Sequence, residues 1–187
     1  ITGLANVLLQ NNFDDGEVTL SGANTYTGTT TIGANIVGGT MFLNGSHTGG
    51  GNYLVNNSTL AGVGSTTSAV TINGGGTLSP GAGPGTISTG SLTINGTLEI
   101  DADNNTPGTG HDQVIVTGTA TLGASSVLVI DTGAGLNPAD SLVVIANDGS
   151  GDAITGTFAG LAEGAAFDAG AFGFDATAAY GAGDGND

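Results

Sequence analysis

Val70-Thr71-Ile72-Asn73-Gly74 returns further along the chain as Leu92-Thr93-Ile94-Asn95-Gly96, and at the same spacing once more as Val114-Ile115-Val116-Thr117-Gly118. Each copy is an apolar-x-apolar run that enters a glycine-closed turn, with a Thr-Leu pair after it at Thr77-Leu78, Thr97-Leu98 and Thr121-Leu122. Alternate residues of a strand point to opposite faces, so each run turns one face toward a core. A period of this length marks units that bury their apolar faces only against neighbours, as stacked solenoids do. The spacing therefore predicts an all-β fold, a single-stranded right-handed parallel β-solenoid (β-helix) with rungs of about 22 residues. Stacking sets equivalent residues roughly 4.8 Å apart. That places Val70, Leu92 and Val114 in one interior column, and Ile72, Ile94 and Val116 in another. The right hand follows the usual preference of parallel crossovers. An antiparallel sandwich also accounts for short strands and frequent turns, but not for the recurrence.

The rest of the chain follows the same pattern. Ile36-Val37, Met41-Phe42-Leu43, Tyr53-Leu54-Val55, Val127 to Ile130 and Leu142 to Ile145 are further short β-rich runs, and Gly contributes 37 residues between such runs. Gly and Asn supply the positive φ that tight turns require. No stretch sustains apolar residues at helical spacing. Three segments result: 1–16 as an N-terminal cap or docking strand, 17–167 as the β-solenoid, and 168–187 as a Gly/Ala/Asp-rich C-terminal segment.

Charge narrows the partners. Lys and Arg are absent while Asp and Glu number 16, a formal net charge of -16. No carboxylate can find a Lys or Arg within its own chain. Phosphate backbones and anionic membrane surfaces are recognised by clustered cations, so neither nucleic acid nor a lipid surface is an expected partner. No apolar run reaches membrane-spanning length, so no membrane insertion of this segment is expected. There is no Cys, hence no disulfide framework and no thiolate chemistry. Hydrophobic residues make up 38%, enough to build a core in spite of the low complexity. The chain opens at Ile1 without Met or a visible signal peptide, which predicts a processed product or a fragment of something longer.

Val18-Thr19-Leu20-Ser21-Gly22-Ala23-Asn24-Thr25-Tyr26-Thr27-Gly28, continued by Thr29-Thr30-Thr31-Ile32, resembles the autotransporter passenger-associated β-strand repeat of bacterial surface and secreted proteins. The strand that closes the repeat reads Gly38-Gly39-Thr40-Met41-Phe42-Leu43, after an unusual Ala34-Asn35-Ile36-Val37. Gly75-Gly76-Thr77-Leu78-Ser79-Pro80-Gly81 and the Gly156-Thr157-Phe158-Ala159-Gly160-Leu161 tail extend the likeness over most of the chain. The resemblance implies a parallel β-helix that is extracellular or displayed at the bacterial cell surface. Within the motif, Asn24 is expected to cap a turn or join an asparagine column, and Tyr26 to shield one end of the core.

Cation binding has a local motif. Asp101-Ala102-Asp103-Asn104-Asn105-Thr106 is followed by Asp112, so Asp101, Asp103, Asn105 and Asp112 offer oxygens near the spacing of a calcium loop. Thr106 stands where such a loop needs glycine and Asp112 where it has Glu, which points to a simpler Ca²⁺ site than an EF-hand. Asn147-Asp148-Gly149-Ser150-Gly151-Asp152 and Gly183-Asp184-Gly185-Asn186-Asp187 are two further oxygen-rich turns. Catalysis finds less support. Glu99, Asp101 and Asp103 could act as paired carboxylates on a glycoside, but no convergent nucleophile, base and oxyanion set is visible. His47 and His111 are expected in turns. A threonine array for ice is not expected, because Thr25, Thr27, Thr29, Thr31, Thr117, Thr119 and Thr121 do not recur at the period of the strands.

These observations predict a secreted, non-enzymatic structural protein that self-associates head to tail as an extracellular fibre, matrix or stalk unit. The uncharged segment Ile1 to Gln10, with Leu4, Val7, Leu8 and Leu9, is the candidate junction, or else a cap on its own first rung. An adhesin passenger binding glycan or another cell surface is the alternative reading, and a polysaccharide-acting β-helix enzyme a more distant one.

Overall fold

The computed structural model describes residues 1–10, 16–33, 38–137, 140–147, 153–168 and 175–180. Strands are numbered in chain order, and every third one joins the same sheet. The first sheet holds β1 (Val7–Leu9), β4 (Thr30–Ile32), β7 (Tyr53–Val55), β10 (Val70–Ile72), β13 (Leu92–Ile94) and β16 (Ala120–Leu122). The second holds β2 (Glu17–Leu20), β5 (Thr40–Leu43), β8 (Thr59–Gly62), β11 (Thr77–Pro80), β14 (Thr97–Ala102) and β17 (Val127–Thr132). The third holds β3 (Ala23–Asn24), β6 (Ser46–His47), β9 (Ser65–Thr66), β12 (Thr86–Thr89), β15 (Gln113–Val116) and β18 (Ile145–Asn147). Neighbouring strands within all three sheets are parallel, so each coil of chain lays one strand on each. This is a parallel β-solenoid, with a topology consistent with the expected right hand. A short antiparallel pair, β19 (Ala166–Asp168) and β20 (Asp175–Thr177), follows it.

The core is built as ladders. Leu9, Ile32, Val55, Ile72, Ile94 and Leu122 stack inward in register along the first sheet, and Met41, Leu60, Leu78, Leu98 and Leu128 along the second. Fully burying a side chain of this size contributes about 1.5–3 kcal/mol, and no coil could do so alone. Val70 and Leu92 share a column as the spacing predicted, but Val114 does not: Leu92 pairs with Ala120, while Val114 lies on the third sheet between Ile87 and Ile145. Likewise Ile94 is followed by Leu122, and Val116 pairs with Thr89 and Asn147. The register step is 22 from Val70 to Leu92, 17 from Tyr53 to Val70 and 28 from Leu92 to Ala120. Coils of unequal length keep the strands aligned and let the loops absorb the difference.

The same register makes threonine columns that a constant period hides. Thr40, Thr59, Thr77 and Thr97 align on the second sheet, and Thr71, Thr93 and Thr121 on the first. Branched side chains suit the pleated, half-exposed surface of a strand. Corners are set by glycine: Gly33 has φ +75, and a Cβ there would collide with the Asn56 carbonyl of the next coil. The expected run Ile36-Val37 lies outside the described residues.

Candidate functional site

After β14 the chain makes an excursion and returns. Ala102 and His111 bridge in antiparallel fashion, and the Asp103 and Asn104 N–H groups both donate to Gly110 O, at 2.6 and 2.8 Å. The excursion carries the four residues expected to hold calcium and separates them. Asp112 is 1% exposed; its Oδ1 accepts from Gly85 N at 2.7 Å and its Oδ2 from Asp101 N at 2.9 Å. Both oxygens thus fasten neighbouring backbone segments. Asp103 is exposed, and exposed Asn105 donates its amide to Asp140 Oδ1 at 3.1 Å. Among the described residues no three His, Cys, Asp or Glu side chains are grouped to hold a metal ion, and the expected Ca²⁺ site is overturned. The physical reason is the fold of the excursion. It turns Asp112 into the protein and leaves Asp103 and Asn105 in solvent, so loop spacing does not become ligand geometry. The turn from Asn147 to Asp152 lies outside the described residues beyond Asn147, and that from Gly183 to Asp187 wholly so.

Burial dominates the electrostatics of Asp112. It pushes the carboxyl up to about 6, against the lowering effect of the two backbone N–H bonds and with added repulsion from Asp101 and Glu99. Asp101 is raised as well, by burial first and then by the carboxylates of Asp131 and Asp103. Asp101 and Asp131 are register partners on β14 and β17. With Asp103, Pro84, Ala102 and Thr132 they line an open cleft of about 320 Å³. Asp131 lies a full coil beyond Asp101 in the sequence, and no local motif joins them.

The two histidines are not turn residues in water. His47 is fully buried on β6, stacked on Tyr26 with ring centroids 4.1 Å apart and edge-on to Tyr53 at 5.4 Å. Its Nε2 lies 2.8 Å from Tyr26 O, so that nitrogen carries the hydrogen. The Tyr26 hydroxyl meets Thr30 Oγ1 and, at 3.2 Å, Tyr53 Oη. Tyr26 therefore shields the core from inside. Asn24 joins a mixed column, Asn24 above His47 above Thr66, in place of an asparagine ladder. His111 is fully buried too, with its ring nitrogens 3.2 Å from Asn104 O and 3.3 Å from Val143 O.

The first ten residues dock on their own chain. Ile1 O and Gly3 O accept from Thr25 N and Thr27 N, and β1 pairs with β4. Leu9 is buried and Val7 packs partly against the core, whereas Leu8 and Leu4 are 55% and 88% exposed. The segment is a partial coil on the first sheet, and among the described residues β2 has no strand partner on the side away from β5. Val18, in register with fully buried Met41, is 37% exposed. The other end differs. Thr155 pairs with Thr121, Ala159 N donates to Ser126 O, and Phe158 is buried.

The solenoid supports the expected architecture in general, without assigning the chain to the passenger-repeat family that residues 18–43 resemble. No family model, curated protein or solved structure matches the chain.

Proposed function

We propose that the chain is a structural β-solenoid of the extracellular space or a bacterial cell surface. It is a rigid, non-catalytic unit of a fibre, matrix or stalk that joins end to end with further copies. One observation carries the reading: among the described residues β2 pairs only with β5, which leaves its other edge open, and Val18, in register with buried Met41, stands 37% exposed there. Unpaired strand edges template pairing with another chain, the main-chain mode of β-augmentation. The last coil is covered by residues 154–161, so head-to-tail stacking requires that cover to move. Two open edges can also meet directly in an isologous contact, which closes as a dimer and does not propagate. Repulsion between subunits of net charge -16 opposes the contact, and salt relieves it.

Sedimentation velocity over a concentration series, at low and high salt, tests the reading. Association that grows with salt and vanishes in both Leu8→Asp and Val18→Asp, with β-rich circular dichroism retained, supports it. A wild-type monomer at every concentration rejects it. The adhesin alternative also has an observation in its favour: the six strands of the first sheet contain no Asp or Glu, which leaves a neutral face on an acidic protein. Glycan-array binding lost on Thr71→Glu and Thr93→Glu would favour that reading.

A further inference from the structure

Coils of unequal length hide an array that the register reveals. On the first sheet the outward residue of each strand stands in one column: Leu8, Thr31, Leu54, Thr71, Thr93 and Thr121. All six are exposed or half-buried, while the strand residues that flank them face the core. Thr31 and Thr121 were not expected in an array, since no constant period links them. Register steps of 17, 22 and 28 residues align the column all the same. Six parallel strands carry it over about 24 Å.

Two properties separate this face from its neighbours. It is uncharged: neither the column nor the residues that bracket each strand, such as Ser91 and Asn95 around Thr93, include Asp or Glu. The second sheet, by contrast, carries Glu17, Glu99, Asp101 and Asp131. Its hydroxyls are also unused. Among the described residues the side chains of Thr31, Thr71, Thr93 and Thr121 have no hydrogen-bond partner. No aromatic ring points outward there for a sugar to stack on, because Tyr53 is fully buried.

We propose that this face binds the surface of ice. Ice is an uncharged solid whose oxygens repeat at a fixed spacing and exchange hydrogen bonds with hydroxyls held in a matching row. Strand pairing fixes the threonines at one interval, roughly 4.8 Å per coil. Their branched side chains have few rotamers, so methyl and hydroxyl keep a set orientation. The methyl displaces loose water and the hydroxyl joins the lattice. Leu8 and Leu54 interrupt the row of hydroxyls but extend its apolar contact. A carboxylate would resist losing its own hydration, so a neutral face on a chain of net charge -16 is what this partner requires. The face runs along the side of the solenoid and stays free in end-to-end association, so the two readings stand or fall separately.

The test is the growth of single ice crystals in a nanolitre osmometer with the intact chain. The expected result is faceted crystals and a gap between melting and freezing temperatures that widens with protein concentration. Thr93→Glu places a carboxylate in the middle of the column and should abolish the gap. Thr93→Ser keeps the hydroxyl, removes only the methyl, and should narrow it. Thr59→Glu adds the same charge on the second sheet and should leave the gap unchanged. Circular dichroism checks the fold of each variant, and Thr93→Ser decides if the charged one unfolds. Round crystals without a gap at every wild-type concentration would overturn the proposal. So would a gap that survives both Thr93 variants, or one that falls equally in Thr59→Glu. Binding to microcrystalline cellulose that Thr93→Glu abolishes, with no gap, would assign the face to a neutral polysaccharide instead.

Discussion

The two ends of this solenoid are built from the same strands and finished differently. At the last coil, residues 154–161 cross the core, Phe158 is buried, and Tyr180 donates to Leu161 O at 2.6 Å while accepting from Phe158 N at 3.0 Å. At the first coil, residues 1–9 cover part of the core and Val18 is left partly in water. Repeat proteins need polar terminal caps because each coil otherwise offers a sticky face. The lesson is that coil-to-coil packing explains why the middle is stable, while the ends decide whether the molecule stays alone.

The largest effect belongs to the middle, against which both ends are measured. Ile94 is fully buried between Ile72 and Leu122. Ile94→Asp buries an unpaired charge and should cost on the order of 5 kcal/mol, enough to unfold the flanking coils. Urea melts read by circular dichroism check it; a loss below about 1 kcal/mol would remove the column from the account. Next comes the closed end. Phe158→Ala should cost about 3–5 kcal/mol and raise hydrogen exchange in 120–122 and 145–147 before the first coils.

Acidification ranks third and acts on the closing half, where Asp112 lies. Its folded pKa, about 6, stands above the ordinary value of 3.8. The folded state thus binds the proton more tightly, so stability is greatest below pH 4 and falls as pH rises to 6. The change is at most about 3 kcal/mol from this group. Melting temperature measured from pH 4 to 8 should fall with rising pH, and less steeply in Asp112→Asn. A rise over that range would contradict the assignment. The smallest effect is at the open end: Val18→Ala should cost under about 1 kcal/mol, because Val18 is only partly buried in the monomer. A loss equal to that of Phe158→Ala would erase the contrast between the ends.

The strand pattern and the stacking were legible because Val70-Thr71-Ile72 and Leu92-Thr93-Ile94 are one coil apart. Val114-Ile115-Val116 misled because every strand of a solenoid ends in a similar bend, so a strand of the third sheet resembles one of the first. The excursion from Asp103 to Gly110 lengthened that coil and brought the wrong strand to the expected distance. His47 was readable in principle: the step from Ala23 to Ser46 also carries buried Asn24 onto it. The cleft was not readable, since it joins Asp101 to Asp131 on successive coils that no local spacing links. The acidic loop failed as a calcium site for the converse reason. Its residues are close in sequence, but backbone amides occupy Asp112.

The most direct test of the central claim is hydrogen exchange at several protein concentrations, read separately for residues 7–9 and 17–20 and for residues 92–98. The first-coil amides should become more protected as concentration rises, while the interior amides, already paired on both sides, should not change. First-coil exchange that is independent of concentration, in a protein that sediments as a monomer throughout, would contradict it.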